Sequence, residues 1–332
     1  MTTFVAQTKT MDTIYYPNDS LIDGSYAATI GFFDGVHRGH RHVIGQLREE
    51  AGRRGLRTMV VTFERHPRLV VNPSWKPSLL STLEEKVALI GQTGIDVLVV
   101  LRFDEQMARL SARQFMAQVL KERLHVDLLL TGYDNRFGHN RVEGFDDYVR
   151  YGEEMGIEVR CLPPAPSHGM GMGEGATVSS SYIRRLLAEG HVGKAFEGLG
   201  YPYTILGRVE HGEHVGTQLG FPTANLVLVD NKQLVPAAGA YAVKVRMEHS
   251  VEWKHGMMNI GMRPTFDGHK RTLEVHVFRL NEDLYGQHLL VSFIERLREE
   301  QRFENVESLI SQLQQDAVLA EQILNQDPER II

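Results

Sequence analysis

The feature that most constrains the fold is a regular alternation of short apolar runs with amphipathic segments through the first half of the chain. The apolar runs at 27–33, 58–63, 95–101, 126–131 and 157–162 are predicted to be buried strands. Segments with helical spacing of apolar residues lie between them, at about 41–54, 83–92, 111–122 and 145–155. This alternation requires a parallel sheet with helices on its faces, so we predict an α/β domain.

The pattern changes after the glycine-rich stretch 168–175. A short helix carrying Ile183, Leu186 and Leu187 is expected to end at Gly190. Beyond it the chain is mostly strand-like, at 204–212, 240–247, 272–278 and 289–297, with Gly, Pro and Asn turns between the strands. We predict a small antiparallel barrel or sandwich, with a final helix at about 306–324 packed on it.

The length of 332 residues suits two domains, predicted at residues 12–186 and 187–332. The net charge of -6 makes nucleic acid a poor partner. The single cysteine, Cys161, fits a reducing compartment, and neither a signal peptide nor an apolar run long enough to cross a membrane is visible. We expect a cytoplasmic protein without a membrane partner, and the sequence leaves a homo-oligomer open.

The segment GFFDGVHRGH, at 31–40, lies where the first predicted strand meets the first helix, an edge at which parallel sheets bind ligands. Its glycines allow the backbone to approach a ligand closely. His37 and His40 are three residues apart, so their rings can face the same side of the helix. A helix start favours phosphate, and two imidazoles can donate to it as charge develops. The segment therefore predicts attack on the α-phosphate of ATP with loss of pyrophosphate.

Two other interpretations of these histidines remain open. They could be a zinc pair, although no third ligand is obvious, or they could be ordinary polar residues that cap the helix. The spacing fits neither the Rossmann glycine fingerprint nor a Walker loop, because no Gly-Lys-Ser/Thr follows.

A second dense group of residues spans 207–226. Its glycines are expected to form one flexible loop whose amides hold phosphates; they are Gly207, Gly212, Gly216 and Gly220. In an extended backbone Thr223 and Asn225 share a face, and their oxygens suit Mg²⁺. The alternative is a Gly/Pro turn that ends in an asparagine bonded to its own backbone.

The strand 272–278 is predicted to alternate, with Glu274, His276 and Phe278 on one face. A carboxylate on the inner side of a barrel is costly unless it is paired or catalytic. We therefore expect Glu274 to accept the proton of a substrate hydroxyl during phosphoryl transfer. A solvated glutamate on an exposed strand face is the alternative.

The first half also resembles a known family. GFFDGVHRGH resembles the HxGH motif of the cytidylyltransferase-like superfamily, and specifically that of the FAD synthetase domain of bacterial bifunctional riboflavin biosynthesis proteins. The segments TFERHPR (62–68), GYDNRFGHNRVEG (132–144) and SSSYIR (179–184) resemble further motifs of that domain in the same order. Three positions depart from its pattern: Arg65 replaces proline, Asn135 replaces an aromatic residue and Ser181 replaces threonine.

The resemblance implies a Rossmann-like nucleotidyltransferase domain with His37 and His40 as catalytic residues. Serines at a helix start with an arginine one turn on also suit a phosphate on chemical grounds. The implied ATP-binding residues are Gly31, Phe32, Asp34, Gly39, Ser180, Ser181 and Arg184. The implied flavin-binding residues are Phe63, His66, Pro67 and Asn135.

The segments 207–226, 259–266, 273–278, 283–286 and 296–303 resemble the riboflavin kinase module, in its order. The resemblance implies that Thr223 and Asn225 hold Mg-ATP, that Gly207, Gly212 and Gly216 lie at its phosphates, and that Glu274 is the base. Arg298 is implied near the flavin, and Thr217 replaces the usual arginine.

Together the resemblances imply a bifunctional enzyme that converts riboflavin to FMN with Mg-ATP and then FMN to FAD. Two alternatives remain. One is an adenylyltransferase for another phosphorylated vitamin, with the barrel only holding substrate. The other is a flavin-responsive binding protein without catalysis.

Overall fold

The structure is a computed structural model, and it describes residues 11–19, 23–132, 135–163, 178–211, 216, 219–265 and 268–326. These residues fall into two compact units, divided between Val178 and Ser179. No helix in the described part of the chain is both long and apolar enough to span a bilayer.

The N-terminal unit is built on a six-stranded sheet in the order β1-β4-β3-β2-β5-β6, in which every neighbouring pair is parallel. The strands are β1 (Asp12–Tyr16), β2 (Tyr26–Ile30), β3 (Arg57–Phe63), β4 (Val97–Leu101), β5 (Val126–Gly132) and β6 (Glu158–Leu162). Every residue of β2 and β4 is buried, as expected for central strands covered on both faces. The predicted α/β architecture is confirmed.

Helices follow the strands of this unit. They are α1 (Arg38–Arg54), α2 (Pro67–Val71), α3 (Leu83–Gly91), α4 (Glu105–Ala108), α5 (Ala112–Phe115), which continues as a π-helix (Met116–Lys121), and α6 (Phe145–Met155). Short 3₁₀ turns occupy Asp34–Val36 and His139–Arg141. Local signals set the ends: Thr82 and Glu85 form a capping box on α3, and Gly55 ends α1 at φ 65.

The C-terminal unit contains a closed barrel with the strand order β10-β11-β8-β7-β12-β9, and its strand pairs are antiparallel. The strands are β7 (Thr204–Glu210), β8 (Ala224–Leu228), β9 (Gly239–Met247), β10 (Lys254–Thr265), β11 (Gly268–Val277) and β12 (His288–Glu299). The final helix, α9 (Val306–Gln326), packs Ala320 and Leu324 against Ala242, Met257 and Ile294. The predicted barrel with a C-terminal helix is confirmed.

Two further helices, α7 (Ser180–Ala188) and α8 (Val192–Leu199), precede the barrel within the same unit. The C-terminal end of α7 is fastened to barrel segments: Ala237 N–H donates to Leu187 O, and Arg296 Nη1 donates to Glu189 O. The compact units therefore divide before α7, whereas the sequence placed the boundary inside it, at 186/187. The assignment of one activity to each domain stays a prediction.

Two candidate active sites

The segment 31–40 leaves the carboxyl end of β2 and enters α1. Phe33 and Gly35 adopt left-handed backbone angles, φ 54 and φ 74, which turn the chain sharply into the helix. His37 caps α1, because its Nδ1 accepts the N–H of His40 at 3.3 Å. The two imidazole rings are stacked, with centroids 3.6 Å apart and planes inclined by 18°. His37 is therefore a helix cap, as one of the alternatives proposed. The capping hydrogen bond restrains the orientation of the His37 ring, on which the His40 ring stacks.

Gly39 lies close against this stack. A Cβ at that position would lie 3.1 Å from the His37 ring and 3.1 Å from Val178 O, so a side chain there would require the ring or the backbone to shift by a few tenths of an ångström. Gly31 is similarly close to the Phe33 ring, at 3.2 Å, and its N–H donates to Val61 O.

Asp34 was predicted to bind ATP, but its side chain is buried and holds the neighbouring loop. Its Oδ1 accepts the N–H groups of Leu80 (2.9 Å) and Ser81 (3.3 Å), and Ser81 Oγ accepts the N–H of Gly35 at 3.1 Å. Asp34 therefore connects the loop that carries the histidines to the segment at Leu80 and Ser81.

The residues predicted to contact flavin lie at the neighbouring strand end. Phe63 is the last residue of β3 and packs edge-on against Phe103, with centroids 5.5 Å apart. His66 caps α2, and Pro67 is its first residue. The His66 ring lies 4.5 Å from Phe32 and 4.6 Å from Trp75, measured between centroids. An aromatic surface therefore joins this segment to the histidine segment.

Trp75 was missed by sequence reasoning, and its isolation among polar residues was the only signal. A cavity of about 380 Å³ is lined by residues that include Glu64, Arg65, Arg102 and Phe103. Asn135 comes from the loop after β5, and its side-chain amide donates to Ile30 O at 2.5 Å. The Asn135 side chain therefore lies close to Gly31, and its amide N–H group is bonded to the last residue of β2.

Ser180, Ser181 and Arg184 lie in the first turns of α7, which belongs to the second compact unit. A serine caps this helix, because Ser179 Oγ accepts the N–H of Tyr182 at 3.2 Å. The use of these residues together with His37 and His40 stays a prediction.

In the barrel, strand register lines up one row of residues. The pairs are Glu210 with Asn225, Asn225 with Glu274, Glu274 with Asn259, Asn259 with Ala240, and Ala240 with Arg298. Register partners on adjacent strands point to the same face, with strands about 4.8 Å apart. Sequence reasoning missed Glu210 and Asn259, because register cannot be read from one strand at a time.

The alternation predicted for β11 is confirmed, but its consequence differs. Leu273, Val275 and Val277 are the buried residues, so they fill the barrel and Glu274 stands half-buried on the outer face. The cost of a carboxylate inside a barrel therefore does not apply to Glu274. The reason to treat Glu274 as a candidate site residue is instead that it lies next to Asn225.

Thr223 is brought to the same place by a tight turn. A Cβ on Gly216 would lie 2.4 Å from Phe221 O and 2.9 Å from Thr223 Oγ1, so only glycine fits. His276 Nδ1 donates to Pro222 O at 2.7 Å; since a carbonyl oxygen only accepts, this ring nitrogen carries the proton. This bond anchors the Thr223–Asn225 segment to β11.

Gly207 does not belong to that loop. It lies inside β7, where it pairs with Leu228 on β8 and Leu289 on β12, and a Cβ there would lie 3.1 Å from Leu226 Cβ. The expectation of one continuous glycine loop from 207 is wrong, since Gly207 serves close strand packing. Gly212 lies outside the described residues, so its predicted role is not tested.

Arg298, predicted near the flavin, is held by α9. Its Nε donates to both carboxylate oxygens of Asp316, at 3.2 and 2.9 Å, and its Nη1 donates to Glu299 O. Three strand spacings separate it from Glu274 along the row, about 14 Å. Arg298 therefore stands at the far end of the row from Asn225.

A cavity of about 350 Å³ opens at the end of the row that holds Glu210 and Asn225. Its lining includes Glu210, Thr223, Asn225 and Tyr285, and the Tyr285 ring stacks on His211 with centroids 3.7 Å apart. Within the described residues no group of three or more His, Cys, Asp and Glu side chains is arranged to hold a metal ion. The oxygen atoms at this cavity include the hydroxyl group of Thr223, the amide of Asn225 and the carboxylates of Glu210, Glu282 and Asp283.

Comparison with known proteins matches both units. Residues 20–181 match the FAD synthetase family and residues 199–324 match the riboflavin kinase family. A bifunctional riboflavin kinase/FMN adenylyltransferase of Escherichia coli (strain K12) is 37% identical over 292 residues, covering 88% of this chain and 90% of that one. A protein of the same description from Listeria monocytogenes is 35% identical over 312 residues, covering 92% and 96%.

A crystal structure from Streptococcus pneumoniae, described as a macrolide-efflux protein, superposes with a TM-score of 0.83 at 29% identity, covering 94% of this chain and 99% of that one. Both halves of the sequence resemblance are therefore confirmed, in one chain and in the same order. The chain belongs to the bifunctional riboflavin kinase/FMN adenylyltransferase family.

Proposed function

We propose that this enzyme makes FAD from riboflavin in two steps. The barrel transfers the γ-phosphoryl group of ATP to the terminal ribityl hydroxyl of riboflavin, which gives FMN and ADP. The N-terminal unit then joins the FMN phosphate to the adenylyl group of a second ATP, which gives FAD and pyrophosphate. The observation that carries the proposal is that each unit holds its own set of residues: the His37–His40 stack in one, and Thr223, Asn225 and Glu274 in the other.

In the kinase step, Glu274 accepts the proton of the attacking hydroxyl as the oxygen bonds to phosphorus. Asn225 is its direct register partner, and Gly216 leaves room for Thr223 beside it. The hydroxyl of Thr223 and the amide oxygen of Asn225 are neutral oxygen ligands that fit a magnesium–nucleotide complex, whose own phosphates supply the negative charge. When bound, Mg²⁺ neutralises charge on the phosphates.

In the adenylyl step, a phosphate oxygen of FMN attacks the α-phosphorus of ATP and the bond to pyrophosphate breaks. The histidine pair stands at the N-terminal end of α1, where the helix dipole also favours negative charge. Hydrogen bonds aimed at the charge that develops on the α-phosphate lower the barrier. Direct displacement needs no covalent enzyme intermediate, so positioning of the two substrates supplies much of the remaining effect.

The two cavities support this division. The one of about 380 Å³ is lined by Glu64 and Arg65 of the TFERHPR segment, where the flavin is proposed to bind. The one of about 350 Å³ lies beside Thr223 and Asn225, where the nucleotide of the kinase step is proposed to bind. The exposed single thiol of Cys161 is compatible with the reducing cytoplasm in which we place the enzyme.

The deciding experiment is incubation of the protein with riboflavin, ATP and Mg²⁺, followed by chromatographic separation of flavins and nucleotides. FMN, FAD, ADP and pyrophosphate are the expected products, and EDTA should stop their formation. Pyrophosphate without ADP would favour an adenylyltransferase for another phosphorylated vitamin. Flavin binding without any product would favour a binding protein.

A further inference from the structure

Lys86 is a buried charged residue that neither the motifs nor the proposed chemistry uses. It lies in the first turns of α3, directly after the capping box, and its exposed fraction of 2% is that of a core residue. Lysine is almost never buried to this extent unless its ammonium group has partners.

Those partners are the ends of two neighbouring strands. Lys86 Nζ donates to Phe32 O at 3.2 Å and to Phe63 O at 3.0 Å. Phe63 ends β3, and Phe32 stands two residues beyond the end of β2. Thr62 Oγ1 donates to the same Phe32 carbonyl at 3.1 Å. One ammonium group therefore spans the carboxyl edge of the sheet.

The two carbonyl groups, of Phe32 and Phe63, each lie just before one of the two segments proposed to form the adenylyl site. From Phe32 the chain continues into the loop that carries His37 and His40, and from Phe63 it continues into His66 and Pro67. The ammonium also lies 4.1 Å from the Phe32 ring centroid, and that ring packs on His66. Movement of Nζ would shift both segments at once.

The charge is costly at this depth. Burial lowers the pKa of Lys86 to about 8, and the negative charge of Asp34 opposes part of that effect. A leucine or methionine would fill the space without that cost but would leave two carbonyls without this donor. A costly residue at a strand edge that binds ligands indicates a functional constraint.

We propose that Lys86 is a positioning residue for adenylyl transfer, which sets the distance between the histidine loop and the flavin-side segment and so aligns the two reacting phosphates. The inference rests on the proposed function of this unit. Lys86 touches neither substrate in this account and acts through Phe32 and Phe63. A misplacement of about 1 Å in such an alignment costs up to about 10²-fold in rate.

The test compares Lys86→Met with Lys121→Met in the full-length protein. Lys121 is a matched control, because its Nζ also donates to a backbone carbonyl, Gly156 O at 3.1 Å, and pairs with Asp127, away from both site segments. For Lys86→Met we expect kcat of FAD formation to fall about 10- to 100-fold, with the Kd for ATP within about threefold of wild type. For Lys121→Met we expect both quantities to be unchanged.

Rescue separates hydrogen-bond donation from space filling. In Lys86→Ala, propylammonium ions should restore part of kcat, whereas tetramethylammonium ions, which carry charge but no N–H, should not. Wild-type kcat in Lys86→Met, or equal losses in Lys86→Met and Lys121→Met, would overturn the inference. If Lys86→Met does not fold, Lys86→Gln decides, because its shorter side chain cannot span both carbonyls: a stable protein with kcat reduced and an unchanged Kd for ATP supports positioning, and unchanged kcat refutes it.

A failure of the proposed function can be distinguished from a failure of the inference on Lys86. If the unchanged protein made no FAD from FMN and ATP, the adenylyltransferase assignment itself would be wrong, and the Lys86 inference would fall with it. If the unchanged protein makes FAD and Lys86→Met matches it, only the inference on Lys86 is lost.

Discussion

Glu274 and Asn225 stand directly opposite each other on adjacent antiparallel strands. The carboxylate proposed as base is thereby held about one strand spacing, some 5 Å, from the amide proposed to hold Mg-ATP. Neither residue depends on a loop for its place, since each is fixed by the hydrogen bonds of the barrel. The pairing register of β8 and β11 therefore determines the distance between these two residues of the proposed kinase site.

The first prediction concerns the base. Glu274→Gln keeps the shape of the side chain but cannot accept the substrate proton, so FMN formation should drop by roughly 10²-fold or more. FAD formation from added FMN should survive. Initial rates of ADP release from riboflavin and ATP measure the effect, with Glu252→Gln, an exposed glutamate paired with Lys254, as the control. Near-normal kinase turnover would rule out the general-base role.

The second prediction concerns the histidine stack. His40→Ala removes one imidazole from the N-terminal end of α1, so FAD formation should fall by on the order of 10²–10³-fold. Riboflavin phosphorylation should continue nearly unchanged. His42→Ala, on the same helix, is the control and should keep both activities. Pyrophosphate release with FMN as substrate is the measurement, and loss of both activities in a folded His40→Ala protein would contradict two separate sites.

The third prediction is a pH dependence of stability. Burial lowers the pKa of Lys86 from 10.5 to about 8. Between these values the unfolded chain binds more protons than the folded one, so the free energy of unfolding rises with pH in this window. Relative to Lys86→Met, the wild type should gain roughly 3 kcal/mol between pH 8 and 10.5. Urea unfolding at several pH values measures this difference, and parallel curves for the two proteins would disprove it.

The fourth prediction is that the C-terminal unit folds alone. A fragment of residues 179–332 contains α7, α8, the barrel and α9, so it should melt cooperatively, phosphorylate riboflavin and make no FAD. A fragment starting at 187, the boundary suggested by the sequence, lacks the buried Ile183 and Leu186 and should melt at a lower temperature. Calorimetry and product analysis test both. A folded fragment 179–332 without kinase activity would show that the site needs the N-terminal unit.

Much of the fold could be predicted because its central strands and helices carry strong periodic signals. The helix Phe145–Met155 lies where it was predicted, at about 145–155, since an amphipathic run is followed by Gly156. The edge strand β1 was not predicted, because a short strand with exposed residues has no apolar run. Strand β10 was missed because Gly256, Gly261 and Pro264 resemble turn residues, although glycine also permits close strand packing.

The site was predictable where residues are close in sequence and not where they meet across strands. His37 and His40 share one helix start, so their proximity followed from spacing alone. Asn259 and Lys86 reach the sites through register and tertiary hydrogen bonds, which no local pattern encodes. The side of the barrel on which Glu274 stands also needed the structure, since alternation fixes which residues share a face but not which face is inside.

The closed barrel has a consequence for misassembly. Its described strands each have a neighbour on both sides, so they offer no unpaired backbone edge to a second chain. The sheet of the N-terminal unit ends instead at β1 and β6, where Glu158 and Arg160 place charge on the outer strand. If concentrated or heated protein aggregates by strand addition, strands of different molecules should first pair at those two edges of the N-terminal sheet. The strands of the barrel should not take part in this pairing.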